Sequence, residues 1–325
     1  MTRTVSKPAA NERVISADGV RFAAELERLW PEGGRLGLAV SGGPDSLALL
    51  LLAHAAIPGR AAVATVDHGL RPEAADECAM VARYCAERAI PCEVLTVATG
   101  GGNLQAAARE ARYAALGAWA RREGLAALAT AHQADDQAET LMMRLNRASG
   151  LAGLAGVRSR GIVPGMDLPL IRPLLSWRRA ELALIVGRAG LEPARDPSNA
   201  DDAYDRVRIR KALGEADWLD VAAVAASAAH LADAENAIEW IVGRVWAENV
   251  AVVDGGLRYE PGAPKAVTLR IVSRIIAGFG GSPRGAVVAR LIEDLQSGLR
   301  GNVGGVAASV EGDEWVFRPE PPRRS

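Results

Sequence analysis

Lysine is scarce in this 325-residue chain: only Lys7, Lys211 and Lys265 occur, and none lies between residues 8 and 210. A Walker-type nucleotide loop, G-x-x-x-x-G-K-[ST], is thereby excluded from that stretch, because its lysine is obligatory. Cysteine is equally sparse. Cys78, Cys85 and Cys92 stand seven residues apart, without the C-x-x-C pairs of a zinc site or a redox centre. Cys78 and Cys85 fall two helical turns apart on one face, which reads as core packing in a reducing, cytoplasmic setting. No stretch reaches the roughly 18 to 20 uninterrupted apolar residues of a membrane helix, and the longest run, residues 47–57, has the length of a buried helix. The opening MTRTVSKPAANER lacks the apolar core of a signal peptide and reads as a loose tail. A net charge of −1 leaves no global electrostatic footprint for nucleic acid, so such a partner requires a local basic surface.

What is present is a 49% hydrophobic chain, long enough for two domains. Short aliphatic runs at 35–41, 61–69, 91–98 and 124–132 alternate with helical patterns at 45–56, 73–89 and 103–122. This alternation predicts an α/β fold with a doubly wound parallel sheet, buried on both faces. A further helix is expected from Ala134, and residues 150–211 read as loops and short helices. A long amphipathic helix over 218–250 opens a smaller, mostly helical C-terminal unit that also holds short strands. The expected organisation is a tail at 1–20, a catalytic domain at 21–215 and a C-terminal domain at 216–325.

Ligands of doubly wound sheets bind where strands turn into helices. At the first such point the sequence reads Ser41-Gly42-Gly43-Pro44-Asp45-Ser46. Backbone N–H groups at a helix start form an anion site, glycine lets the chain approach phosphate, and proline suits the first helical turn. Ser41 and Ser46 add hydroxyls, and Asp45 has the chemistry to hold magnesium against phosphates. This hexapeptide resembles the pyrophosphate loop of the N-type ATP pyrophosphatases, the PP-loop superfamily, whose members cleave ATP between its α and β phosphates and adenylate an oxygen. Five more motifs follow in order: VDHGLRPEA (66–74), NLQAAAREARY (103–113), TAHQADDQAET (130–140), RPLL (172–175) and DPSNADDAYDRVRIR (196–210). Together with the loop they are similar to the tRNA(Ile)-lysidine synthetases over roughly residues 33–215.

The residues also carry chemistry of their own. Asp136 and Glu139, and Asp135 and Glu139, fall three and four apart on the helix after His132, which clusters carboxylates able to hold a magnesium ion or to receive a cationic amine. A histidine ending an apolar strand is ordinarily a satisfied core residue; its place in the motif points to contact with the adenylated base or the phosphates. Of Arg109 and Arg112, the resemblance favours Arg112 to stabilise charge on departing phosphate. Residues 144–211 hold thirteen basic against seven acidic side chains, a local surface suited to tRNA.

The resemblance implies ATP and Mg2+ as cofactors, tRNA(Ile) with anticodon CAU and free L-lysine as partners, and lysidine as product. It implies catalytic roles for Asp45, Arg112, His132, Asp136 and Glu139, and nucleotide contacts from Ser41 to Ser46 and from Asp67 and His68. Magnesium falls to Asp45 and Asp136, and tRNA contacts to Arg172, Arg206, Arg208 and Arg210. A cytoplasmic location is expected, with no membrane contact, and a homodimer is one assembly the sequence allows. The alternative is another PP-loop enzyme with a different nucleophile, for tRNA thiolation or amidation. Two positions depart from the family pattern: Gln133 replaces a second histidine, and Val207 replaces an asparagine.

Overall fold

The computed structural model describes residues 10–67, 69, 73–97, 104–194 and 205–320. Contacts divide the chain into two compact units, Met1–Ala232 and Asp233–Ser325. The first is built on a six-stranded sheet. Its strands β1 (Leu36–Ala39), β2 (Ala61–Asp67), β3 (Cys92–Thr96) and β4 (Ala127–Ala129) alternate with helices α2 (Pro44–Ala56), α3 (Glu73–Ala86) and α4 (Leu104–Arg122), and α5 (Ala134–Leu145) follows β4. With β5 (Arg160–Ile162) and β6 (Pro169–Ile171) the spatial order is β3-β2-β1-β4-β6-β5, with every pairing parallel except that of β5 with β6. The doubly wound expectation holds.

Alternate residues of each strand serve different cores, as the period of two requires. Leu36, Leu38, Val63, Ala127 and Ala129 face a core shared with α2, α3 and two further helices, α1 (Ala10–Leu29) and α7 (Arg179–Arg188). Ala62, Ala64 and Leu128 face the opposite core, filled by Tyr113, Leu116 and Trp119 of α4. The short LGLA strand survives because both its faces are covered. Helix α2 is buried from Ser46 to Ala53 apart from Leu51, which explains its unbroken apolar sequence. Cys78 and Cys85 are buried on α3, as their spacing implies.

Two features differ from the sequence expectation. Residues 10–20, expected within a tail, belong to α1, whose Phe22, Leu26 and Leu29 form a buried stripe at helical spacing. The stretch 150–211 contributes strands β5 (Arg160–Ile162) and β6 (Pro169–Ile171) as well as helices α6 (Leu151–Leu154), α7 and α8 (Asp205–Glu215). Three-residue strands are too short to show a readable period, and Pro169 is tolerated because it opens its strand.

The second unit takes in most of α9 (Val221–Asn249), whose sequence crosses the division between the units. An antiparallel sheet of order β7-β8-β11-β10-β9, comprising Val250–Val253, Gly256–Tyr259, Glu314–Pro319, Val306–Glu311 and Gly301–Val303, packs on α10 (Lys265–Gly278) and α11 (Gly285–Gln296). Tyr259 meets Trp315 edge to face, with ring centroids 5.8 Å apart. Glu235 is buried against Arg270. Among the described residues no helix is long and apolar enough to cross a membrane.

Gly37 lets β1 approach α4 closely: a Cβ there would meet Leu125 Cδ1 and Trp119 Cζ3, each at 2.9 Å. Gly37→Ala is expected to cost about 1–3 kcal/mol by overpacking, read as a lower urea midpoint at unchanged m-value.

Candidate active site

Strand order reverses between β1 and β4, so the helices following these strands leave a crevice at their carboxyl ends. A cavity of about 670 Å³ lies there, lined by Ser41, Gly43, Pro44, Asp45 and Ser46 after β1 and by His132 and Asp136 after β4. Gly42 turns the loop at φ +85°, where a side chain would be strained. The loop closes on itself: Ser41 N and Ser41 Oγ both reach Ser46 Oγ, at 3.2 and 3.3 Å, and Ser46 Oγ donates to Gly43 O at 2.9 Å. Gly43 caps α2 and Pro44 occupies its first turn, which leaves the early N–H groups of the helix at the cavity wall.

Helix α5 brings the acids. Gln133 is fully buried at its N-cap, accepting from Asp135 N (2.5 Å) and Asp136 N (3.4 Å) through Oε1 and donating from Nε2 towards Asp45 Oδ2 at 3.5 Å. Its backbone N–H donates to Asp136 Oδ2 at 3.2 Å, so this residue ties the loop to the acidic helix. The departure at 133 therefore has a structural role that no ordinary capping pattern advertises. Val207, the other departure, is buried on α8, and the cavity lining takes Arg206 and Arg210 from that helix.

The acids do not stand open. Asp135 receives Arg178 Nε at 3.2 Å and Arg179 N at 2.9 Å. Asp136 Oδ1 receives Arg206 Nη2 at 3.0 Å, and Glu139, with a side chain 1% exposed, is held by Arg179, Arg206 and Arg210. Burial pushes the Glu139 carboxyl upward, but Arg210 and Arg206 outweigh it and hold it below the usual range. Burial dominates at Asp136 despite Arg206, with Glu139 adding to the rise. Asp45 is pushed up to about 6, mainly by burial, against Arg179 and with Asp136 and Asp135 assisting. Its Oδ1 is buried without a partner among the described residues.

His132 bonds Thr130 Oγ1 through Nδ1 at 3.0 Å. Burial, and then the guanidiniums of Arg172, Arg109, Arg206 and Arg112, hold its pKa at about 3. It is a neutral imidazole at ordinary pH. Arg112 lines the cavity, whereas Arg109 is exposed and is not among the lining residues. Asp67 ends β2 and accepts from Gly69 N at 2.9 Å, outside that lining, and His68 lies outside the described residues.

The four arginines expected at tRNA are placed differently from one another. Arg172 is buried and donates to Arg158 O at 2.7 Å; Arg206 and Arg210 turn onto the acids; Arg208 is exposed and pairs with Asp205. Arg178 and Arg179 entered the sequence reading only as part of the basic surface over 144–211, and their pairing with Asp135 and Glu139 was not expected. The signal they give for that pairing is a basic pair at the start of a helix, which is also an ordinary surface pattern.

Two outcomes follow. Glu139→Ala, which strands three guanidiniums, is expected to cost about 3 kcal/mol, whereas Glu93→Ala at the exposed Arg122 pair costs less than about 1 kcal/mol, both read by urea denaturation. In NMR titration the His132 ring signals are expected to hold their neutral position from pH 8 down to about 4.

Comparison with known proteins places these observations in a family. A model described as the PP-loop domain matches residues 19–216. The chain is 47% identical over 315 residues to the tRNA(Ile)-lysidine synthase of Novosphingobium aromaticivorans, covering 96% of each chain. It is 41% identical over 302 residues to that of Zymomonas mobilis, covering 90% of this chain and 91% of that one. Among solved structures, a U34-tRNA thiolase from Methanococcus maripaludis superposes with a TM-score of 0.55 at 18% identity, over 71% of this chain and 86% of that one, and so shares the fold. With a matching PP-loop domain and near-complete alignment to these relatives, the chain belongs to the PP-loop family and, within it, to the tRNA(Ile)-lysidine synthases.

Proposed function

We propose that this protein joins L-lysine to C2 of the wobble cytidine in the CAU anticodon of tRNA(Ile), cleaving ATP to AMP and pyrophosphate and forming lysidine. The observation that carries the reading is one cavity lined both by the SGGPDS loop and by Asp136 of α5, an arrangement suited to holding an activated oxygen beside an amine partner. ATP adenylates the C2 oxygen of the cytidine and pyrophosphate leaves. The lysine amine then attacks C2 and displaces AMP. Holding three substrates in one crevice supplies the orientation that such a transfer demands.

Each residue has a task in this scheme. Ser41, Ser46 and the first N–H groups of α2 grip the pyrophosphate. Arg112 offsets charge on the departing group. Neutral His132 offers a hydrogen bond to base or phosphate and carries no charge of its own. Asp136 and Glu139 receive the lysine ammonium, and exposed Arg208 contributes to the tRNA surface in a cytoplasmic enzyme.

Magnesium fits this corner. Asp45 presents a buried, unpartnered Oδ1 near the Asp136 charge. Among the described residues no group of three or more His, Cys, Asp or Glu could hold a metal. The ion would rest on Asp45 and Asp136 with phosphate oxygens completing its shell, the usual magnesium pattern, and would neutralise phosphate charge there.

The thiolating alternative calls for paired cysteines, and among the described residues lining the cavity there is one, Cys78, buried in a 3.3 Å hydrogen bond with Thr65 Oγ1. Incubation with ATP, labelled lysine and unmodified tRNA(Ile) transcript is expected to label the tRNA, and no label would reject the reading. Asp45→Ala is expected to lower pyrophosphate release by at least about 100-fold, the scale of a lost electrostatic contact in catalysis, while tRNA binding by gel shift persists.

A further inference from the structure

Glu139 has no acceptor position to spare. Its Oε1 takes Arg179 Nη2 at 3.0 Å and Arg210 Nε at 2.7 Å, and its Oε2 takes Arg206 Nε at 2.7 Å and Arg210 Nη2 at 3.3 Å. A carboxylate offers about four lone-pair sites. An ammonium therefore reaches Glu139 only by displacing a guanidinium.

The three guanidiniums are not equivalent. Arg179 opens α7, and its backbone N–H is fixed on Asp135 at 2.9 Å. Arg206 and Arg210 stand one turn apart on α8, with side chains 42% and 30% exposed. All three line the cavity of the Ser41–Ser46 loop, but Arg179 is tethered through its backbone to Asp135. An anion seated on that loop competes with Glu139 for the other two.

We infer that Arg206 and Arg210 form an exchangeable cover on Glu139: the triphosphate of ATP draws them off the carboxylate and opens it to the ammonium of the amino acid. The identity of that amine rests on the functional reading above. Because the same side chains serve phosphate and carboxylate in turn, nucleotide and amino acid each strengthen the binding of the other. The driving force is the tighter hold of phosphate on the open arrangement, without which no ligand shifts such an equilibrium.

Calorimetric titration of L-lysine into the full chain tests this in three settings: alone, with magnesium and α,β-methylene-ATP, and with inorganic pyrophosphate. Lysine affinity is expected to rise at least about fivefold with either phosphate compound, the lower end of ordinary couplings. In R206Q/R210Q, lysine binds without nucleotide more tightly than in the unaltered protein, and the coupling falls towards unity. R206Q and R210Q singly move the same way by less, which keeps the test alive if the double variant does not fold. A merely structural role for these arginines gives the opposite sign, weaker lysine binding in every setting. Unchanged lysine affinity with and without nucleotide overturns the inference, as does weaker nucleotide-independent binding in the variants. Labelled lysine entering tRNA without any coupling rejects this inference alone; neither incorporation nor lysine binding rejects the functional reading with it.

Discussion

The parallel pairing of β1 with β4, Leu36 to Ala127 and Leu38 to Ala129, sets where two helix starts meet. Helix α2 leaves one strand and α5 leaves the other, and the phosphate loop shares a cavity wall with Asp136 because their strands are neighbours. The pairing holds only while both faces of these short strands stay covered. That is why the buried faces of α1, α2 and α7 on one side and of α4 on the other matter to the site as much as the few residues that α2, α4 and α7 lend to its lining. Register fixes chemistry here, since a one-residue slip would turn every strand side chain to the opposite core.

Most of this architecture was legible before any coordinates. Continuous apolar strands separated by helices announce a covered parallel sheet, and SGGPDS at a strand-to-helix turn announces an anion site, because both signals are local. Contacts that depend on tertiary placement were not legible. Arg179 meets Glu139 across 40 positions of sequence, and Arg206 and Arg210 meet it across about 70, with no periodicity joining them. Strands β5 and β6 escaped for lack of length. Helix α1 was hidden because the buried residues that mark it, Phe22, Leu26 and Leu29, all lie in its second half.

The acids of α5 look open from the sequence and are closed in the fold. A cluster of carboxylates in a buried corner needs countercharge, and α7 and α8 provide it from within the chain. An isolated buried carboxylate would otherwise take up a proton. The compensation makes the pocket stable, and it makes any incoming cation compete with resident ones.

Every cation among the residues lining the cavity, Arg112, Arg179, Arg206 and Arg210, is an arginine. A guanidinium keeps its proton and is no nucleophile at working pH. In the proposed reaction, a lysine on that wall would carry the same ε-amine as the amino acid to be transferred and would face the same electrophilic carbon. It would compete for attack and end as a covalent adduct between protein and RNA. Among the described residues lining the cavity, a wall of arginines gives phosphate its positive charge without placing a nucleophilic amine there.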